Sequence, residues 1–384
     1  MSGEQFRVLV IEELTACDAT WSDAAESMRQ EALAMLQAVL CDLQQVPGCR
    51  TQVLLSTTVA GLWHEQNLPA GEVQVLENST GVGEWLEQVA EQGPECDCVL
   101  MIAPEADGLL LRRLQQLNTG HWQSISTLNC CVEAARIFTD KHQTAGWLRE
   151  RGIPAIPGVI VADAVVQQLL LPQEVIGSAE VQSDSCSAAA DTADSASVIK
   201  PRDGAGCEAI RQLPQGFDVL KSLGDAGAGA VGEWLLQPFI NGQFCSAAIV
   251  GRRDGQRLIL PAGEQRIAWQ NQRPVYLGGR IPVEPLAGQA IAVVMQQIAT
   301  ALPVFAGWIG VDVVVSRANS EGPQVQVVEI NPRFCTSFAG YRRVSDFSLL
   351  EWMLTDSAAA SAMNLGSLFP GQVRFLADGS VLSS

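Results

Sequence analysis

The sequence predicts a mixed fold, an α/β domain at the N-terminus followed by an α+β region. Three observations carry this. Strand and helix patterns alternate from residue 7 to about 118, strand patterns dominate from 198 onward with one long helix among them, and the 384 residues are 47% hydrophobic. That length suits two or three domains and that composition is ample for a buried core.

The elements can be read in order. RVLVIEEL (7–14) is a buried first strand, DAAESMRQEALAMLQAVLCDLQQ (23–45) a long amphipathic helix and RTQVLLS (50–56) a second strand. EVQVLE, the helical VGEWLEQVAEQ and CDCVLMIAPE continue the alternation, which argues for a small doubly wound α/β domain. Within it, GVGEWL (81–86) has only part of a dinucleotide fingerprint and reads as a plain turn into a helix. In LNCCVEAARIFTDKHQTAGWLRERGIPAIPG (128–158), Thr139 or Asp140 caps a helix running to about Arg151, stopped by Gly152 and Pro154. Lys141 thereby falls in a first turn, where a positive charge is disfavoured unless an anion stands nearby.

Residues 174–197 are small, polar and acidic without periodicity, and are expected to be a disordered insertion. A strand, SVIKPRDGAGCEAIRQL, follows at once. Then come EWLLQPFINGQFCSAAIVG (233–251), RLILPAGEQRIAWQ, a helix over 286–302, and the strands GWIGVDVVVS and QVQVVEINPR.

Bulk properties exclude several functions. A net charge of −18 leaves no basic stripe, so a nucleic-acid binder is not expected. No run of about 18 apolar residues exists, so no membrane span is expected. The N-terminus lacks a basic segment before its apolar stretch, so no secretory signal is expected either. Eleven cysteines include no C-x-x-C pair; the nearest are Cys96/Cys98 and Cys130/Cys131, and the three histidines complete no zinc pattern. Reduced thiols in a cytoplasmic protein are the expectation. His64, His121 and His142 suggest no nucleophilic triad.

Lysine is rare: of 24 basic residues, only Lys141, Lys200 and Lys221 are lysine. A compact ammonium is a common partner for phosphate oxygens. After Lys200 comes the turn DGAGCE, which lacks the P-loop pattern but allows a strand–turn–strand lid whose glycines admit phosphate, or a plain hairpin. Asp312 and, in VVEINPRFCT, Glu329, Asn331 and Arg333 interrupt apolar strands. The last three are spaced by two and therefore share a face. Carboxylates there must be paired or bind a cation. Either a Glu329–Arg333 salt bridge or a hard-cation site built from oxygen donors satisfies this.

Taken together, Lys141 in DKHQTAGWLRERGIP, Lys200 in VIKPRDGAG, the stretch WLLQPFINGQ, Asp312 and EINPR resemble the ATP-grasp superfamily in order and approximate spacing. The resemblance covers nearly the whole chain. IAPEADGLL, LNCCVEAA, YLGGRIP and EINPRFCTS look most like the tyramine–L-glutamate ligase group of methanofuran-type cofactor synthesis. The resemblance implies a pre-ATP-grasp domain at 1–125 and a connecting subdomain at 126–197. A two-lobed ATP-grasp fold follows, with its lid lobe at 198–250 and its metal and substrate lobe at 251–384.

It also implies roles. Lys141 and Lys200 would hold ATP phosphates under a lid formed by Asp203, Gly204, Ala205 and Gly206. Gln237, Pro238, Phe239 and Ile240 would meet adenine, and Gln243 falls where many relatives carry a glutamate for ribose. Asp312, Glu329 and Asn331 would hold one or two Mg²⁺ ions, with Mn²⁺ as a substitute. Arg333 and Arg266 would face an acyl phosphate, and Thr336, Ser337, Arg342 and Arg343 a substrate carboxylate. Glu12 and Glu31 are candidates to meet a substrate amine. The implied reaction is ATP-dependent amide formation between a small carboxylate and a small amine, glutamate and tyramine among them. Another amino-acid or dipeptide ligase is the near alternative, and a non-catalytic ATP-binding protein the distant one. A carboxylase is less expected, since no biotin-carrier segment follows the motifs. A homodimer is the assembly considered.

Overall fold

The computed structural model describes residues 6–65, 71–76, 81–162, 197–204, 207, 209–213, 234–317, 322–354 and 369–382. The expected insertion, apart from Ser197, lies outside them, as do Ala205 and Gly206.

The N-terminal part alternates as its periodicity predicts. It comprises β1 (Phe6–Glu12), α1 (Asp18–Asp23), α2 (Glu26–Leu43), β2 (Cys49–Ser56), α3 (Thr57–Glu65), β3 (Glu72–Leu76), α4 (Val82–Gln92), β4 (Cys98–Ile102), α5 (Leu109–Gln116) and β5 (Ser126–Thr127). The strands form one parallel sheet in the order β3-β2-β1-β4-β5. Parallel strands need crossover helices on both faces, so β1 is apolar on both sides. Val8 and Val10 pack with Leu36, Leu40 and Val59 of α2 and α3, whereas Leu9 and Ile11 pack with Leu86, Leu110 and Leu114 of α4 and α5. Each such burial contributes roughly 1.5–3 kcal/mol. The turn at 81–86 simply opens α4.

The chain continues through α6 (Val132–Phe138) and α7 (Lys141–Glu150) into β6 (Val159–Val161), β7 (Ser197–Pro201), β8 (Arg211–Leu213) and β9 (Trp234–Pro238). Strands β6 to β9 form a small antiparallel sheet in the order β6-β9-β7-β8. Then follow β10 (Gln243–Gly251), β11 (Arg257–Ile259), β12 (Gly263–Gln270), β13 (Arg273–Ile281), α8 (Pro285–Ala301), β14 (Gly307–Arg317), β15 (Pro323–Asn331), α9 (Ser337–Val344), α10 (Leu349–Leu354), β16 (Val373–Phe375) and β17 (Val381–Leu382). These strands build an antiparallel sheet ordered β15-β14-β10-β12-β13-β16-β17, with β11 beside β10.

Two expected boundaries differ. The break at 250/251 falls inside β10, which pairs along its length with β14 in the large sheet. Likewise β6, expected in a connecting segment, joins the small sheet through β9. Strand pairing, which depends on distant partners, decides both.

Helix α8 covers one face of the large sheet: Ile291, Met295 and Ile298 pack with Val311, Val313 and Val327. The opposite face, carrying Gly310, Asp312 and Val314, is left to line a cavity. Helix α9 ties the sheet to α2 of the parallel domain.

Candidate active site

A cavity of about 210 Å³ lies over that face, between the small sheet and the large one. One end is apolar, lined by Ile156, Val198, Ile267 and Trp269 together with Pro238, Phe239 and Ile240 after β9. Phe239 meets Trp269 edge-on with ring centroids 5.4 Å apart. Gln237 also lines the cavity, but its side-chain amide donates to the Ile156 carbonyl at 3.0 Å and so anchors the segment.

The other end is charged. Asp312 on β14 lies directly opposite Glu329 on β15, and Gly310 opposite Asn331. A side chain at Gly310 would have its Cβ 2.5 Å from Cys335 Sγ, so glycine lets the two segments approach. A bulge follows, because Val313 pairs with Val327 and leaves Val328 extra. Counted by simple alternation, Glu329 would share the core face with Val325 and Val327; the extra residue turns it to the cavity instead.

Asp312 accepts hydrogen bonds from Gln265 Nε2 and Asn331 Nδ2, both at 2.9 Å. Burial, with the Glu329 charge adding to it, pushes the Asp312 carboxyl up to about 7. Burial acts on Glu329 too, but Lys141, Lys200 and Arg333 outweigh it and hold its carboxyl below the usual range. Glu329 Oε2 lies 3.8 Å from Lys141 Nζ and 3.7 Å from Lys200 Nζ. Lys200 is 3% exposed, and burial lowers its ammonium to about 8 against the opposing pull of Glu329.

Lys141 reaches this place from the first turn of α7. Asp140 is the cap, accepting from the backbone N–H groups of His142 and Gln143 at 2.9 and 3.1 Å. The Lys141 N–H donates to the Arg202 carbonyl at 2.9 Å and its Nζ to the Gly204 carbonyl at 2.8 Å, which ties α7 to the turn after β7. Gly204 has φ +141°, a conformation suited to glycine. The mismatch of a lysine at a helix N-terminus is thus answered by Glu329.

Arg333 does not pair with Glu329. Its Nε donates to both Glu105 oxygens at 2.9 Å, and this carboxylate, beyond β4 in the parallel domain, is itself buried. Burial works against the Arg333 charge, but Glu105 outweighs it and holds the guanidinium protonated. The salt-bridge alternative for Glu329 and Arg333 is therefore replaced by two lysines on one carboxylate and a distant glutamate on the arginine.

Other expected residues fall elsewhere. Arg266 is exposed and lies outside the cavity, while Gln265, Ile267 and Trp269, alternating with it on β12, line it. Gln243 does not line the cavity; its neighbour Phe244 does. Asp203 is in the turn after β7 without lining it. Thr336 and Ser337 line the cavity, and Thr336 Oγ1 donates to Glu31 Oε2 at 3.2 Å. Arg342 turns away, donating to the Cys41 carbonyl at 3.0 Å and lying 3.9 Å from Asp42, and Arg343 is exposed. Both arginines follow the helical turn of α9 away from the cavity. Sequence reasoning missed Gln265 and Glu105. Parity with Trp269 points to the first; no local signal marks the second.

The charged end suits a hard divalent cation. Among the described residues no three His, Cys, Asp or Glu side chains gather into a metal cluster. The donors are instead two carboxylates and an amide. The hydrogen bonds Asp312 accepts come from neutral amides, while Arg333 and Lys200 act on it through space, so its carboxylate oxygens can still meet a cation. Magnesium typically binds through one or two carboxylates plus phosphate oxygens and water.

A family model described as an ATP-grasp domain matches residues 138–337. The chain belongs to the ATP-grasp family. No curated protein sequence matches it. Solved structures share the fold. An ATP-grasp superfamily protein from Archaeoglobus fulgidus superposes with a TM-score of 0.60 at 17% identity, covering 96% of this chain and 92% of that one. N5-carboxyaminoimidazole ribonucleotide synthetase from Thermus thermophilus gives 0.57 at 15%, covering 96% and 82%. The biotin carboxylase domain dimer of Hydrogenobacter thermophilus 2-oxoglutarate carboxylase, solved with MgADP and bicarbonate, gives 0.58 at 14%, covering 97% and 74%. In this ATP-grasp chain the matched segment runs from the last residue of α6 to the start of α9, and so contains Lys141, Lys200, Asp312, Glu329, Asn331 and Arg333.

Proposed function

We propose that the protein is an ATP-dependent carboxylate–amine ligase that forms an amide through an acyl phosphate. The observation that carries this reading is the convergence of Lys141 and Lys200 on Glu329, beside Asp312, at the charged end of a cavity whose other end is apolar. Adenine fits the apolar end between the segment 238–240 and Trp269, and the phosphates reach toward the lysines. Asp312, Glu329 and Asn331 would hold Mg²⁺, which would supply charge neutralisation at the phosphates. A substrate carboxylate attacks the γ-phosphorus, the β–γ bridging bond breaks and ADP departs. The amine then attacks the acyl carbon, loses a proton and expels inorganic phosphate. The lysines and Arg333 offset charge spread over the phosphoryl oxygens, so positioning and electrostatics carry the catalysis. The turn after β7, to which Asp203 and Gly204 belong, would exclude water from the acyl phosphate.

The finer reading takes glutamate as carboxylate and an aromatic amine such as tyramine as acceptor, and is supported by the stretches IAPEADGLL and EINPRFCTS. Thr336 and Ser337, which line the charged end, are the substrate-side groups retained. A cytoplasmic setting agrees with the free thiols of the described cysteines. No described helix is long and apolar enough to cross a membrane.

The test is a screen of carboxylates and amines, glutamate and tyramine first, with MgATP and mass detection of the amide. One ADP and one phosphate per amide are expected. Glu329→Gln should lower turnover at least about 100-fold. Unchanged turnover and Mg²⁺ dependence in that variant overturns the metal assignment, and a chain that binds no nucleotide overturns the ligase reading.

A further inference from the structure

Helix α8, PLAGQAIAVVMQQIATA, carries no charged residue in 17 positions, although 17% of the whole chain is charged and its net charge is −18. One face is spent on the core, where Ala287, Ile291, Val294, Met295, Ile298 and Ala299 are buried. The other looks outward and is partly apolar too. The three most exposed large apolar residues among the described residues are Leu286 at 71%, Val293 at 63% and Val304 at 59%. The first two are on α8, and Val304 follows three residues after its end. A surface helix ordinarily turns charged or polar groups to solvent. Here Leu286, Val293 and Thr300 are exposed seven residues apart, in one stripe, beside Gln289, Gln296 and Gln297. A groove runs along the C-terminal half of this face, walled by Arg151 and Ile153 at and after the end of α7.

We propose that this face is where two copies of the chain associate, α8 packing antiparallel on α8 of the partner subunit about a twofold axis at Val293. A twofold interface uses the same patch on both subunits, so the patch must complement itself. Positions 286 and 300 are equally far from 293, so the axis sets Val293 on Val293 of the partner subunit and Leu286 on Thr300 of the partner subunit. Gln289 falls beside Gln297 of the partner subunit, and amides both donate and accept. The charges bordering the face are complementary as well. Glu284 stands exposed at the N-terminus of α8, where its side chain caps nothing. Arg151 lines the groove beside Gln297, Thr300 and Ala301, near the other end of the helix. Antiparallel packing therefore brings Glu284 of each copy toward Arg151 of the partner subunit. The present ion pair of Arg151, with Glu150 at 3.7 Å, is exposed and weak. Arg257, also near the C-terminal end of α8, is committed to the carbonyls of Ala299, Leu302 and Pro303. Two copies of so acidic a chain repel each other, and they approach at least cost where charge is absent. Helix α8 is about 25 Å long, so a pair with its groove walls falls toward the small end of stable interfaces, which bury about 1,200–2,000 Å². A dimer that dissociates at micromolar concentration is expected. The large sheet separates α8 from the first cavity, so association leaves that cavity open and does not depend on the chain being a ligase.

The test is sedimentation velocity of the full chain from about 1 to about 100 µM, where an interface of this size should dissociate and associate. A monomer–dimer equilibrium is expected. Val293→Glu puts two like charges on the axis and should weaken the dimer about tenfold or more. Glu284→Arg and Arg151→Glu should each weaken it, and the two together should restore it, because each pair across the axis is then reversed. Val293→Cys should cross-link to itself on mild oxidation, above any level the native cysteines give. A chain that stays monomeric at about 100 µM overturns the proposal and leaves the face to a different protein. A dimer unmoved by Val293→Glu overturns it too, since the contact then lies elsewhere, and a charge swap that restores nothing overturns the antiparallel seating. The cross-link decides the matter even if Val293→Glu fails to fold.

Discussion

Arg333 has two carboxylates within its choice: Glu329, four residues earlier in the chain, and Glu105, 228 positions away. It takes the distant one with both oxygens, leaving Glu329 to the lysines. Glu105 is buried and the Arg333 side chain is largely so, and removing one partner leaves an uncompensated charge rather than simply deleting a contact. Glu105→Gln is therefore expected to cost about 3–5 kcal/mol in urea unfolding; a loss below about 1 kcal/mol would show that the pair holds nothing. Gln265 acts at the same scale. Its amide fixes one oxygen of Asp312, and partners of metal-binding carboxylates typically matter about 10–100-fold. Gln265→Leu should raise the Mg²⁺ concentration needed for half-maximal turnover by about that factor; a superimposable Mg²⁺ titration refutes the role. Asp312, Glu329 and Asn331 were legible because polar groups inside apolar strands are costly and therefore conspicuous, and Lys141 and Lys200 because lysine is rare in this chain. Glu105 was not, since IAPEADGLL has no periodicity that sets one acidic residue apart.

Helix α7 shows an element whose start was legible to within one residue. Thr139 and Asp140 are both good caps, and the structure selects Asp140, with Thr139 bonding back to the Ala135 carbonyl at 2.8 Å. Asp140 also pairs with Arg202, which joins the helix to the small sheet. Asp140→Ala should cost about 1 kcal/mol in chemical denaturation, whereas Asp140→Asn should keep most of the capping contribution. Equal losses in the two variants would mean that the ion pair, not the cap, carries the effect. Strand β15 is the opposite case. The spacing of Glu329, Asn331 and Arg333 correctly groups them on the cavity, yet the same parity assigns Val325 and Val327 to that face as well. The extra Val328 breaks the parity, and a bulge leaves no signature in an otherwise apolar strand. On β12 the face is set by the same alternation. Trp269 and Ile267 point inward, so Gln265 does too and Arg266 does not.

Across the whole molecule, three sheets converge on one place. The small sheet brings Lys200, the large sheet Asp312, Glu329 and Asn331, and the parallel domain Glu105 and Glu31. The parallel domain also carries a buried acid whose titration reports on global stability. Burial raises the Glu12 carboxyl from 4.5 to about 7, against hydrogen bonds from Thr15 and Leu14. Between those values the folded chain binds more protons than the unfolded one, so this contribution to stability is present at low pH and is lost as pH rises through 7. At about 1.4 kcal/mol per unit the loss is on the order of 3 kcal/mol. Glu12→Gln should remove it, so the variant gains on the native chain between pH 5 and 8 when unfolding is followed by denaturant titration. Parallel pH curves for the two chains would contradict this origin.

By itself the sequence determined the succession of elements, the cap and position of Lys141, and the residue types gathered near the ends of β7 and β15 and in the middle of β14. These follow from local periodicity, capping and the cost of burying charge, which act over a few residues. Only the tertiary structure decided that Glu105 holds Arg333, that two lysines share Glu329, that Gln265 rather than Arg266 faces the cavity, and that β10 belongs to the large sheet. Each of these depends on register and packing between segments far apart in the chain, where one bulged residue changes which side chains meet.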